Sequence, residues 1–241
     1  MKNNLLKQIY ITVDVDWAID PVMEYCLVLF DELDINTTIN ITHETKLLNR
    51  MKQKHELGIH PNFNFLLNGQ VAKYSNYQDA IAKVKDIVPT AVTVRSHACV
   101  SGSQIRYAFA ENNLKYELNT MIIPSKGQCI YPWKLADMWQ VPYIFEDDVF
   151  ATWDDKRAYW FDSDWEMVRV LNFHPIHIFL NTESLDRYNT ARPYLQDIDR
   201  LSKLRNLDYY GTEVLLRELV AKGRRDGFEF KMISDLGGEL E

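Results

Sequence analysis

Ionisable residues in this chain collect where apolar runs give out. Ile9 to Val13, rich in β-branched residues, stops at Asp14 and Asp16, with Trp17 next. His60 closes the run from His55 through Ile59, and Arg95 and His97 close the run from Pro89. Glu146, Asp147 and Asp148 follow Gln140 to Phe145, and His174 follows Val168 to Phe173. Side chains two apart on a strand share a face, so Asp14 and Asp16 are expected side by side, roughly 7 Å apart. Buried together, two carboxylates repel and need a cation, a proton or hydrogen-bond donors. One aspartate with two histidines is a donor set for a metal with open coordination positions: zinc first, then iron, cobalt or nickel. Of the six histidines, His60 and His97 end strands, and His174 is a candidate acid. His43 opens a helix, His55 lies at the opposite end of its strand from His60, and His177 is either outward or structural. Each residue alone has a bland reading, as a helix cap, a hydrogen-bonded histidine or a solvated acid. Five strand ends carrying such groups together point to a site.

Those strand ends converge only if the strands run parallel. After the first strand, Pro21 to Leu33 reads as a helix with proline in its first turn. Thr37 to Ile41 is a short strand, His43 to Lys54 a helix, and His55 to His60 a third strand. Gln78 to Ile87 and Ser103 to Asn112 read as helices around a strand from Pro89 to Arg95. Further strands are expected at Lys115 to Asn119, Gln140 to Phe145, Val168 to Phe173 and Phe228 to Met232, with a helix at Gly211 to Lys222. This alternation predicts parallel βα units, whose strand C-terminal ends share one rim. Two irregular stretches, Pro61 to Tyr77 and residues 149–165, are long enough to be functional loops. No repeat, linker or low-complexity run divides the chain, so a single domain over 1–241 is expected.

Bulk properties narrow the classes. A 241-residue chain with 46% hydrophobic and 25% charged residues has the composition of an ordinary globular protein. Its net charge of −7 leaves no footprint for nucleic acid or an anionic membrane. Three widely spaced cysteines without a CxxC pair fit a reducing, cytoplasmic setting. No run approaches the ~20 apolar residues of a membrane span, and the N-terminus lacks a signal-peptide core. No glycine-rich phosphate loop is present, which disfavours kinases and NTPases.

The motifs resemble those of a known family, the polysaccharide deacetylases of the NodB-homology group, over nearly the whole chain. Thr12-Val13-Asp14-Val15-Asp16 is similar to the family's Thr-Phe-Asp-Asp signature with one residue inserted. His55-Glu56-Leu57-Gly58-Ile59-His60-Pro61-Asn62-Phe63-Asn64 resembles its second motif, in which a strand leads to the metal histidines. Arg95 matches the arginine that pairs with the catalytic carboxylate, and Leu171-Asn172-Phe173-His174 the motif carrying the acid histidine. One departure stands out: the family's second metal histidine, four residues after the first, is here Asn64. His97 is the expected replacement. The His60-Pro61-Asn62-Phe63, Arg95-Ser96-His97 and Pro142-to-Asp148 phrases are similar to a branch associated with O-antigen and other surface-polysaccharide gene clusters.

The resemblance implies a distorted (β/α)7-type barrel that removes an acetyl or related acyl group from an N-acylated amino sugar. A divalent metal would be held by Asp16, His60 and His97. Asp14 would act as base, Arg95 would keep it ionised, and His174 would protonate the leaving amine. One of Glu146, Asp147 and Asp148 would support His174, and Asp148 is assigned that place. Trp17, Asn62, Asn64 and Trp133 are the expected sugar contacts, since indole faces stack on sugar C–H surfaces. Asn64 and the inserted Val15 leave a rival open, an inactive sugar-binding or scaffold homologue. A different amidase or a metal-dependent phosphoesterase on a similar barrel is a second rival, the phosphoesterase disfavoured by the few histidines at the rim. The sugar, its carrier and the oligomeric state are not readable from the residues.

Overall fold

The computed structural model describes residues 5–67, 75–125, 127–153 and 166–240. Its centre is β1 (Gln8–Asp14), in which all seven residues are buried. It is flanked in parallel by β2 (Thr38–Ile41) on one side and β9 (Arg169–Phe173) on the other. A strand buried on both faces carries a continuous apolar run rather than alternation, which is how Ile9 to Val13 reads. Outward from β2 come β3 (Glu56–Ile59), β4 (Thr93–Val94) and β5 (Tyr116–Glu117), each parallel to the last. A hairpin missed by pattern reading follows, β6 (Trp133–Leu135) and β7 (Met138–Gln140), with β7 parallel to β5. β8 (Phe145–Glu146) pairs with β9, and β10 (Glu229–Lys231) with the start of β1.

The two strands nearest the ends of the parallel order, β7 and β8, belong to one segment. Val141 N donates to Glu117 O at 2.8 Å, Tyr143 N to Thr120 O at 3.0 Å, and Ile144 N to Val170 O at 2.9 Å. Residues 138–146 therefore bridge β5 and β9, and the sheet curls back on itself. With that segment counted once, and β6 and β10 set aside, seven parallel staves surround the core. This is the distorted barrel that the motifs imply.

Helices cover the outside. α1 (Asp20–Glu32) has Pro21 in its first turn and buries Val22, Met23, Cys26, Leu27, Leu29 and Phe30 along one face. Burial of each such side chain contributes about 1.5–3 kcal/mol. α2 (Leu48–Lys54) is shorter than expected, since residues 43–47 form turns. α3 (Tyr77–Ile87) is capped by Asn76, and α4 (Ser103–Glu111) follows β4. After β9 the chain makes three helices that no clear period announces: α5 (Pro175–Leu180), α6 (Leu185–Ala191) and α7 (Ile198–Lys203). α8 (Thr212–Arg225) then packs on α5. Among the described residues no helix is long and apolar enough to cross a membrane. Most of the aromatic stretch at 149–165 and part of the 61–77 loop lie outside the described residues, as do Trp160 and Trp165.

Candidate active site

β1 delivers Asp14 to the rim at the C-terminal ends of the strands, and the side chain is almost fully buried. Its neighbours hold it from three directions. Asn40 Nδ2 donates to Oδ1 at 2.8 Å and Asn172 Nδ2 to Oδ2 at 2.9 Å. Arg95 Nη1 lies 3.2 and 3.3 Å from the two oxygens. The guanidinium is itself fixed: Nε donates to Leu118 O at 2.9 Å, and Nη1 to Thr12 Oγ1 at 2.9 Å and to Asn172 Oδ1. It also lies over the Tyr143 ring, 4.5 Å from its centroid. A buried charge persists only when paired and hydrogen-bonded, and arginine stays charged where lysine would shed its proton. Burial pushes the Asp14 carboxyl up, but the Arg95 guanidinium, with His60 and His174, overrides it and holds the group below its ordinary range.

Asp16 is not on the strand. β1 ends at Asp14, and Asp16 and Trp17 take left-handed conformations, with φ of 44° and 57°. Such values are uncommon without glycine and mark a chain held by its surroundings. Val15 N donates to Asn40 O and Trp17 N to Thr42 Oγ1, which pins the turn. The inserted Val15 thus gives a tight bend, not two acids on one strand face. Bent this way, Asp16 Oδ1 lies 3.1 Å from His60 Nε2 and 3.0 Å from His97 Nδ1. The two ring nitrogens are 3.4 Å apart. His97 is in a turn of three residues, His97–Cys99, rather than on extended chain, and its N–H donates to Pro61 O.

The three atoms can hold a metal ion. Ligands on a tetrahedral ion at about 2.1 Å stand about 3.4 Å apart, close to the spacings here. The donor set also fits, with two imidazole nitrogens and one carboxylate oxygen. His60 Nδ1 is buried and makes no hydrogen bond, facing Asp14 Oδ1 at 3.6 Å. Burial raises the Asp16 carboxyl, but hydrogen bonds from His60 and His97 and the charges of His60 and His174 bring it well below the usual range. Two further acid–histidine groups surround His174, but Asp147 is already bonded to that histidine and Asp14 to Arg95. The Asp16–His60–His97 triad is the one left open to a ligand.

His174 follows β9 and presents Nε2 3.7 Å from Asp16 Oδ2. Its support corrects the sequence expectation: the carboxylate against it is Asp147, not Asp148. Asp147 Oδ1 lies 2.7 Å from His174 Nδ1, and Oδ2 accepts from the His174 backbone N–H at 2.8 Å. Residues 147–150 form one helical turn after β8, so consecutive side chains diverge by about 100°. Asp147 points inward and is fully buried, while Asp148 lines the neighbouring cavity. Burial lowers the His174 ring, but the Asp147 charge and hydrogen bond raise it well above the ordinary histidine value. Glu146 accepts from Asn172 Nδ2 at 3.1 Å and from Tyr143 OH at 3.3 Å, and burial, with the Asp148 charge, pushes it up.

A cavity of about 420 Å³ opens beside these groups. Asp16, Trp17, His97, Asp148 and His174 reach it from the rim. Leu185, Tyr188, Arg192, Leu195 and Gln196 form the wall contributed by α6 and the turn after it. Trp17 also sets its ring edge against His97, with centroids 5.1 Å apart. The other expected sugar contacts are not in this wall. Asn62 Oδ1 caps the short turn Asn64–Leu67 by accepting from Asn64 N, and Trp133 is exposed on edge strand β6. His177 is buried, its Nδ1 3.1 Å from Thr182 Oγ1, and burial lowers its pKa. Asn40 and Asn172 were missed as site residues. Their signal is a polar amide within a buried strand, which must be satisfied inside.

A barrel whose rim sets an Asp–His–His triad beside an arginine-paired aspartate and an aspartate-paired histidine defines a deacetylase-type hydrolase site. The sequence profile described as "WbmS-like: Polysaccharide deacetylase" matches residues 11–192, and the chain belongs to that family. A polysaccharide deacetylase of Bordetella bronchiseptica, described as involved in O-antigen biosynthesis, is similar at 35% identity. The match covers 90% of this chain and 91% of that one, with a TM-score of 0.82. The 4-alpha-glucanotransferase of Thermococcus litoralis shares the fold at 11% identity, over 96% of this chain and 38% of that one, with a TM-score of 0.53. The comparison with curated proteins finds no match.

Proposed function

We propose that this protein is a metal-dependent N-deacetylase, hydrolysing the acetyl or a related acyl group of an N-acylated amino sugar used in surface polysaccharide. The observation that carries this reading is the Asp16–His60–His97 triad lying between Asp14 and His174. A zinc ion, or iron, cobalt or nickel, bound there would lower the pKa of water from 15.7 towards about 7 and polarise the acyl oxygen. Asp14 takes the water proton, and Asn40, Asn172 and Arg95 fix its oxygens so that one orientation is kept. The lowered pKa trades base strength for position. His174 donates from Nε2 to the departing nitrogen, because an amine anion leaves too slowly without a proton. Asp147 accepts from Nδ1–H, which keeps the ring protonated and turned towards Asp16. General-acid help of this kind is typically worth about 10²–10⁴-fold.

Similarity to the B. bronchiseptica protein supports an O-antigen substrate. Three free cysteines support a reducing, cytoplasmic setting for one catalytic domain over the chain. The test pairs metal analysis of purified protein with release of acetate from N-acetylated amino sugars. One equivalent of metal and turnover abolished by chelation and restored by zinc are expected. Metal-free protein without turnover would favour an inactive sugar-binding homologue.

A further inference from the structure

The cavity beside the triad has a charge pattern that the hydrolytic reading does not use. On its rim side stand Asp16 and Asp148 among His97, His174 and His177. On its helical side stands Arg192, the one arginine or lysine among the described lining residues. The other described arginines, save Arg225, each bond to a carboxylate, a hydroxyl or a backbone carbonyl. Examples are Arg187 on Glu183, Arg205 on Glu213 and Arg224 on Leu33 O. Arg192 is exposed and makes no hydrogen bond or ion pair with any described residue.

We propose that Arg192 is a specificity-determining residue that recognises an anionic group, a phosphate or a carboxylate, on an acidic N-acylamino sugar bound in this cavity. The inference rests on the deacetylase reading above and adds its substrate class. An uncharged sugar would gain only an ordinary hydrogen bond from the guanidinium, weaker than the charge-assisted pair an anion makes. A charge-assisted bond from Arg192 to an anionic group is stronger than one to a sugar hydroxyl, so the binding mode that sets the anionic group on the helical wall is favoured. That orientation leaves the uncharged N-acyl group facing Asp16 and His174. The planar fork of arginine suits both phosphate and carboxylate. Gln196, on the same wall, offers an amide to the same group. Leu185 and Leu195 add apolar surface on that side, and Tyr188 a ring. The volume is ordinary for a small-molecule site and matches one sugar unit with its charged substituent.

The test compares three probes on wild type, Arg192→Gln and Arg192→Lys by calorimetry: N-acetylglucosamine, N-acetylglucosamine 1-phosphate and N-acetylglucosaminuronic acid. The charged probes locate the source, since the tighter of the two identifies phosphate or carboxylate as the group read. A charge-assisted pair should make at least one acidic probe about 10- to 100-fold tighter than the neutral one. Arg192→Gln should erase that preference while leaving the melting temperature unchanged, and Arg192→Lys should restore part of it. Equal binding of acidic and neutral probes by wild type would overturn the proposal, as would no binding of any probe. So would a lowered melting temperature in Arg192→Gln with the preference intact, since that is the sign of a cation merely serving the end of α6. Metal content and acetate release, measured on the same preparations, report on the deacetylase reading separately. Bound acidic sugar without hydrolysis would refute that reading alone.

Discussion

At the scale of single residues, the structure separates two neighbouring acids that the sequence could not. Asp147 bonds both the ring and the backbone of His174, whereas Asp148 faces the cavity. Asp147→Asn should therefore cost at least about 10²-fold in kcat towards an amide, within the range for general acids. An activated ester, whose leaving group needs no proton, should suffer far less. Asp148→Asn should act mainly on KM. Kinetics on both substrates check this, and equal losses in the two variants would return Asp148 to the His174 role. His97 is the other residue whose place decides the chemistry. Asn64, where the resemblance implies a histidine, begins a helical turn, and the third atom of the candidate triad belongs to His97 instead. His97→Ala would leave only Asp16 and His60, so bound zinc should fall well below one equivalent while the fold persists. Metal analysis after dialysis reads the outcome, and full retention would mean that another group completes the site.

At the scale of elements, one glycine shows how strands hold the reacting groups. Gly58 on β3 pairs with Asn40 on β2, and a Cβ there would come within 2.3 Å of Asn40 Oδ1 and 3.0 Å of Thr93 O. The Asn40 amide seats its Oδ1 over Gly58 on one side and reaches Asp14 with its Nδ2 on the other, so the missing side chain is what gives it room. Gly58→Ala should push Asn40 aside and loosen Asp14. The expected result is at least a tenfold fall in kcat with metal content kept, together with about 1–3 kcal/mol of lost stability from overpacking. Activity, metal and urea denaturation together test it, and unchanged kcat would show that Asn40 does not position the base. The same element-level view explains what pattern reading found and missed. β1, β2, β3 and β9 are apolar runs buried on both faces, and they were legible. The β6–β7 hairpin was not, since β6 is only three residues long and exposed along its length, too short for an alternation to register.

For the whole molecule, the shared rim was legible because parallel βα units force strand ends together, so the convergence of Asp14, His60, Arg95 and His174 follows from topology. The cavity wall was not, because α5, α6 and α7 are six or seven residues each, too short for a helical period to emerge. Nor could sequence show that Asp16 arrives by a left-handed turn, since that depends on hydrogen bonds from Val15 N and Trp17 N to Asn40 O and Thr42 Oγ1 across the sheet. The opposite end of the barrel carries a purely structural histidine. His55 is buried at the start of β3, with its Nδ1 accepting from Thr37 N at 3.2 Å and 3.1 Å from Thr37 Oγ1. Protonating Nδ1 would turn an acceptor into a donor facing an N–H. Burial is the main cause that brings its pKa from 6.5 to about 4. Between those values the unfolded chain binds a proton that the folded one refuses, so stability rises with pH across the window. The contribution is full above about pH 6.5 and lost as pH falls to about 4; with the partial exposure of the ring it amounts to about 2–3 kcal/mol. His55→Gln keeps an oxygen that can accept from Thr37 but cannot titrate. The gap between wild type and variant, measured by urea denaturation, should therefore narrow by about that amount from pH 7 to pH 4.5, since other buried groups cancel in the difference. A gap that stays constant with pH would show that His55 is protonated in the folded barrel.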